Sequence, residues 1–99
     1  MKVCFVQSGG FVGAVKGCEV NTAELDGPQA DTLRQLVRDS GLERSCRFVS
    51  ETARDARQYE ITIEDEAQPI NVVFDDHNVP DSARLLLGFL QQRAKPRQL

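Results

Sequence analysis

Between Tyr59 and Asp75 the chain alternates apolar and polar residues with a period of two, the pattern that most restricts how it can fold. Tyr59, Ile61 and Ile63 share one side of an extended segment, and Glu60, Thr62 and Glu64 share the other. Asp65-Glu66-Ala67-Gln68 supplies a turn, after which Ile70, Val72 and Phe74 repeat the inward pattern against Asn71, Val73 and Asp75. Pro69 suits the first position of the returning strand, because it has no N–H to give to a ladder. A hairpin with one wet and one apolar face needs a cover. In 99 residues, enough for one domain, that cover is one or two amphipathic helices.

The rest of the chain supplies them. Residues 2–7 form a short apolar strand, with Val3 and Phe5 on one side and Cys4 and Val6 on the other. Ser8-Gly9-Gly10 ends it, since Gly-Gly accepts the positive backbone angles of a tight hairpin turn. A second strand is predicted over 12–20, weakened by Gly13 and Gly17. After a connection over 21–27, a helix runs from Pro28 or Gln29 to Ser40 and stops at Gly41. Its buried stripe is Ala30, Leu33, Leu36 and Val37. Residues 43–56 are charged and weakly patterned; they read as a loop pinned by Leu42, Phe48 and Val49, with a binding role as the alternative. A last helix begins near Pro80, carries Leu85, Leu86, Phe89 and Leu90 on its core face, and ends by Pro96. The expectation is an α+β fold of order β-β-α-β-β-α, a four-stranded largely antiparallel sheet with both helices packed on one face, and residues 1–99 as a single domain.

Chemistry is harder to find than architecture. Apolar residues at 40% and charged ones at 27% describe an ordinary globular chain. A net charge of -3 with interspersed signs argues against a nucleic-acid partner, and Arg93, Lys95 and Arg97 read as a solvated helix end and tail. No apolar run approaches a membrane span. The first residues are too short and too soon interrupted for a signal peptide, which places the chain in the cytoplasm and leaves export by another route open. Cys4, Cys18 and Cys46 have neither CxxC nor metal-ligand spacing, and their odd number does not suggest a disulfide framework. His77 is the sole histidine, and Asp75, Asp76 and His77 are consecutive, so in an extended segment they splay apart rather than converge on a metal. They read as a solvated turn near the last helix, or as a partner-facing acidic loop. Ser8 lacks a G-x-S-x-G elbow, and the glycine turn lacks the lysine of a phosphate loop. The reading is a monomer that is not an enzyme, with no catalytic residue, no metal and no cofactor. Phe11, following two glycines, either folds back as core or projects from the hairpin tip as a contact residue.

The opening Val3-Cys4-Phe5-Val6-Gln7-Ser8-Gly9-Gly10-Phe11-Val12-Gly13 resembles the strand–S-G-G-F–strand signature of emfourin-like proteins. The likeness continues through the Leu33/Leu36/Val37 helix, Tyr59-Glu60-Ile61-Thr62-Ile63, Val72-Val73-Phe74-Asp75-Asp76 and the closing helix. It departs at Asp65-Glu66-Ala67-Gln68, where the family pattern has a glycine-rich turn. The resemblance implies a single emfourin-like domain that inhibits thermolysin/protealysin-like zinc metallopeptidases by blocking the active-site cleft. The partner-facing residues it implies are Ser8, Gly9, Gly10, Phe11 and Val12, with Asp75, Asp76 and His77 approaching the enzyme's metal or its rim. The rival class is a small interaction module with no peptidase target.

Overall fold

The structure, a computed structural model, describes residues 1–9, 15–48, 57–65 and 68–97, with the backbone alone for Cys46, Phe48 and Arg97. In chain order its elements are β1 (Lys2–Ser8), β2 (Val15–Asn21), α1 (Gly27–Asp39), β3 (Cys46–Phe48), β4 (Gln58–Glu64), β5 (Ile70–Asp75), α2 (Arg84–Arg93) and β6 (Lys95–Arg97). Short 3-10 turns, Thr22–Glu24 and Asp81–Ala83, precede the helices.

The alternation of the four longer strands becomes rows of apolar side chains across the sheet. Val20, Val3, Ile63 and Ile70 form one row; Cys18, Phe5, Ile61 and Val72 form the next. Val3, Phe5, Ile61, Val72 and Phe74 lose all contact with solvent, and the Phe5 ring lies 6.4 Å from that of Tyr59 at 16°. Each such side chain removed from water stabilises the fold by about 1.5–3 kcal/mol. Leu33 of α1 and Leu86, Leu87 and Leu90 of α2 join the same buried cluster, so both helices cover this face. Cys4, Val6 and Thr62 occupy the helix-free side. Cys4 and Cys18 therefore lie on opposite faces of the β1–β2 hairpin.

Local signals fix the helix ends. The Asp26 carboxylate accepts from the Gln29 amide at 2.8 Å, an N-cap worth about 1 kcal/mol. Gly41, at φ +70°, takes the left-handed position that turns the chain out of α1. Ser82 Oγ donates to the Ser40 carbonyl at 2.9 Å, tying that exit to the start of α2.

The sheet is not the four-stranded one that the sequence suggests. Among the described residues it has six strands in the order β3-β5-β4-β1-β2-β6, and the chain order is β-β-α-β-β-β-α-β. The two additions are edges. β3 pairs parallel with β5, while β6 pairs antiparallel with β2 through Val15↔Arg97, Lys16↔Pro96 and Gly17↔Lys95. Each has three residues, too few to show a period, and Pro96 is tolerable because a strand at the rim has one side without a ladder. The basic end that reads as a tail is thus partly strand.

The last helix is also rotated from its expected face. Leu85 is 75% exposed, and the buried stripe is Ala83, Leu86, Leu87 and Leu90. The spacing i, i+3, i+4, i+7 begins at Ala83, which the preceding 3-10 turn places against the core. A triple leucine fits either register, and the small alanine decides it.

Candidate functional site

Register brings the two sequence segments singled out for binding to one end of the sheet. Ser8 of β1 faces Gln58 of β4, and Gln58 faces Asp75 of β5. At the usual strand spacing, Ser8 and Asp75 are about 10 Å apart. β3 also ends here, since Phe48 pairs with Phe74, the neighbour of Asp75. Gly9, at φ 91°, turns the chain out of β1 in a conformation open to glycine at little cost. Gly10, Phe11 and Val12 lie outside the described residues, as do 13–14 and 49–56.

The three residues of the second segment have separate placements. Asp75 is fully buried; its Oδ1 accepts from the His77 amide at 2.9 Å and from Asn78 Nδ2 at 2.7 Å. The Asn78 amide donates to the Asp75 carbonyl at 3.1 Å, which completes a tight turn. Asp76 is exposed, and its carboxylate accepts from the Arg57 amide at 3.1 Å and from the Tyr59 hydroxyl. His77 is exposed at the apex. Burial, and then the hydrogen bond and charge of Asp76, push the Tyr59 phenol up to about 12; Arg57 acts in the opposite sense. Asp75 thus braces the turn from inside, Asp76 ties it to β4, and His77 is presented to solvent.

Sequence reading assigned Tyr59 to the core and passed over Arg57. The signal for Tyr59 was its hydroxyl: a buried tyrosine at a strand end needs a polar partner, and the opposing strand runs into Asp75-Asp76. Nothing in the sequence marks the Arg57 amide.

Other surface features lie beside or away from this end. A depression of about 150 Å³ on the helix-free face, lined by Val6, Ser8, Arg47, Gln58, Glu60 and Val73, adjoins Ser8. A more open hollow of about 660 Å³ lies between β2 and the end of α2, walled by Cys18, Val20, Leu25 and Arg93. At the opposite end of the sheet Lys2 lies 3.3 Å from Glu64 and 3.8 Å from Glu19, and hydrogen bonding to Glu64 raises its pKa. Among the described residues no group of three or more His, Cys, Asp or Glu side chains converges to hold a metal ion.

Comparison with known families bears on the chain as a whole. The model of the Emfourin family matches residues 5–91, from the middle of β1 to the last turn of α2. The chain belongs to the Emfourin family. No curated protein and no solved structure matches it. As an emfourin-family member it is a protein inhibitor of M4 metallopeptidases, the class of thermolysin and protealysin, and not an enzyme. The matched segment contains both the Ser8-Gly9 turn and the Asp75–His77 turn, and it stops short of β6.

Proposed function

We propose that this chain inhibits thermolysin/protealysin-like zinc metallopeptidases by presenting the sheet end that carries Ser8 and the Asp75–His77 turn to the active-site cleft. One observation supports the reading above all: the Ser8–Gln58–Asp75 register, which sets the hairpin turn and the acidic turn side by side. A cleft is concave, and the end of a sheet backed by a buried core is a rigid element to set into one. In this reading Ser8, Gly9, Gly10, Phe11 and Val12 belong to the contact, and Phe11 is the apolar side chain that fills a pocket beside the metal. His77 lies on the rim, with Asp75 and Asp76 holding its turn. The zinc belongs to the peptidase, which keeps an open coordination position for its substrate, so this chain needs no cofactor. Strands anchored to a buried core limit the ordering cost of binding. The inhibitor acts as a monomer in which 1–99 form one emfourin-like domain, and it meets its partner from the cytoplasm or after export by another route.

Titration of purified thermolysin with the full chain tests the reading. Inhibition that saturates at one inhibitor per enzyme is the expected result, and unchanged cleavage at a large excess refutes it. Phe11→Ala, folded as judged by an unchanged melting temperature, is expected to weaken inhibition by about thirtyfold or more, the loss typical of an apolar anchor. A Phe11→Ala protein that inhibits as tightly as the wild type removes Phe11 from the contact.

A further inference from the structure

We propose that Asp76 is a positioning residue for the inhibitory contact, clasping the turn that carries His77 to the first residues of β4 so that the turn meets the peptidase already ordered. The inference rests on the reading that this end of the sheet is the contact.

Three hydrogen bonds join Asp76 to the short stretch around Arg57. Its Oδ1 accepts from the Tyr59 hydroxyl, its Oδ2 accepts from the Arg57 amide at 3.1 Å, and its own amide donates to the Arg57 carbonyl at 3.1 Å. From the other flank, Asp75 holds the His77 amide and the Asn78 side chain. The exposed apex is thus secured on both sides.

The two halves of the clasp differ in kind. Tyr59 is 5% exposed, stacked on Phe5 and opposite Phe74, so its ring is fixed by the core. Asp76 is exposed, and water would solvate its carboxylate equally well in many rotamers. Packing at position 59 requires the ring alone, which phenylalanine would supply. The hydroxyl adds a fixed donor at the edge of the core, aimed at a side chain that has no need of it for burial. What it does is narrow the conformations of residues 75–78.

That narrowing has a kinetic signature. When the competent form is a fraction of the free ensemble, apparent affinity falls by that fraction. Fewer encounters are productive, so the association rate drops, while the bound complex keeps its contacts and its dissociation rate. A residue that touches the partner behaves in the opposite way.

Tyr59→Phe, Asp76→Ala and the double variant, each measured for association and dissociation with thermolysin, separate these cases. Expected are an association rate lowered about tenfold in Tyr59→Phe, the loss of roughly one net hydrogen bond, and by more in Asp76→Ala, which also loses the bond from the Arg57 amide, with dissociation within about twofold of wild type in both. The double variant should be no slower than Asp76→Ala, since the Tyr59–Asp76 bond is already lost in Asp76→Ala. Amide exchange at Asp76 and Asn78 in the free protein should quicken. Tyr59→Phe keeps the core filled and stands as the test if Asp76→Ala does not fold. Faster exchange with unaltered association overturns the proposal and leaves the inhibitor reading intact, as does faster dissociation alone in Asp76→Ala. Unaltered exchange in both single variants also overturns it. A wild-type chain that does not inhibit thermolysin sinks the reading and the proposal together.

Discussion

Raising the pH isolates one interaction at the Asp75–His77 turn, because Tyr59 is the only tyrosine and the chain has no tryptophan. Its phenol is pushed from 10.0 to about 12 by burial first and by the Asp76 carboxylate second. The folded state therefore holds this proton more tightly than the unfolded chain. Below pH 10 both states are protonated and the associated stability is fully present. Between about 10 and about 12 the unfolded chain ionises first, and the stability is progressively lost. Two units at about 1.36 kcal/mol each set the loss at about 2.7 kcal/mol, somewhat less because Asp76 is exposed and its charge is screened. The phenolate absorbance band, followed by stopped-flow pH jump before unfolding, should rise with a midpoint near 12. Wild type should lose stability relative to Tyr59→Phe as the pH rises from about 10 to about 12, and not below that range. Asp76→Ala should lower the midpoint and leave it above 10, because burial remains. A folded-state midpoint at the ordinary tyrosine value would refute both the burial and the hydrogen bond on which the argument depends.

Asp75→Ala removes a buried acceptor from the His77 amide and from Asn78, and should cost about 2–4 kcal/mol, read as a lower urea midpoint at unchanged slope; Asp75→Asn, which keeps one acceptor oxygen, should cost roughly half as much. Phe5→Ala opens the centre of the sheet between Cys18 and Ile61 and should cost about 3–5 kcal/mol, a large share of a small domain's stability. Leu85→Ala, at a 75% exposed position, should shift stability by less than about 0.5 kcal/mol, whereas Leu86→Ala should cost about 2–5 kcal/mol. Equal losses at 85 and 86 would mean that α2 packs on the face the leucine run first suggests.

β4 and β5 were the most legible strands because each alternates apolar and polar residues over a buried and a wetter face. Ile61 opposite Val72 and Phe5 opposite Cys18 fall within the two hairpins that the sequence suggests, whereas the pairing of Phe5 with Ile61 joins β1 to β4 and was not legible. The rim strands were not legible. β3 and β6 take their extended form from β5 and β2, and within three residues Cys46-Arg47-Phe48 or Lys95-Pro96-Arg97 cannot reveal a partner. Leu85 misled for a related reason: three consecutive leucines leave the helical phase open, and Ala83 carries too little hydrophobic weight to set it from sequence. At the sheet end that carries Ser8 and Asp75, the glycine turn and the acidic run were visible as motifs, but their adjacency depends on the β1–β4–β5 register. The burial of Asp75 was hidden as well, since a carboxylate at a strand end ordinarily faces water and here folds inward onto its own turn.

Competition at the peptidase active site tests the central claim most directly. A small zinc-chelating inhibitor is held in the cleft of thermolysin while binding of the full chain is measured by a method independent of cleavage. If the Ser8 and His77 end of the sheet enters that cleft, the apparent dissociation constant should rise linearly with chelator concentration, with no ternary complex. An unchanged dissociation constant at saturating chelator would place the contact elsewhere on the enzyme and contradict the account.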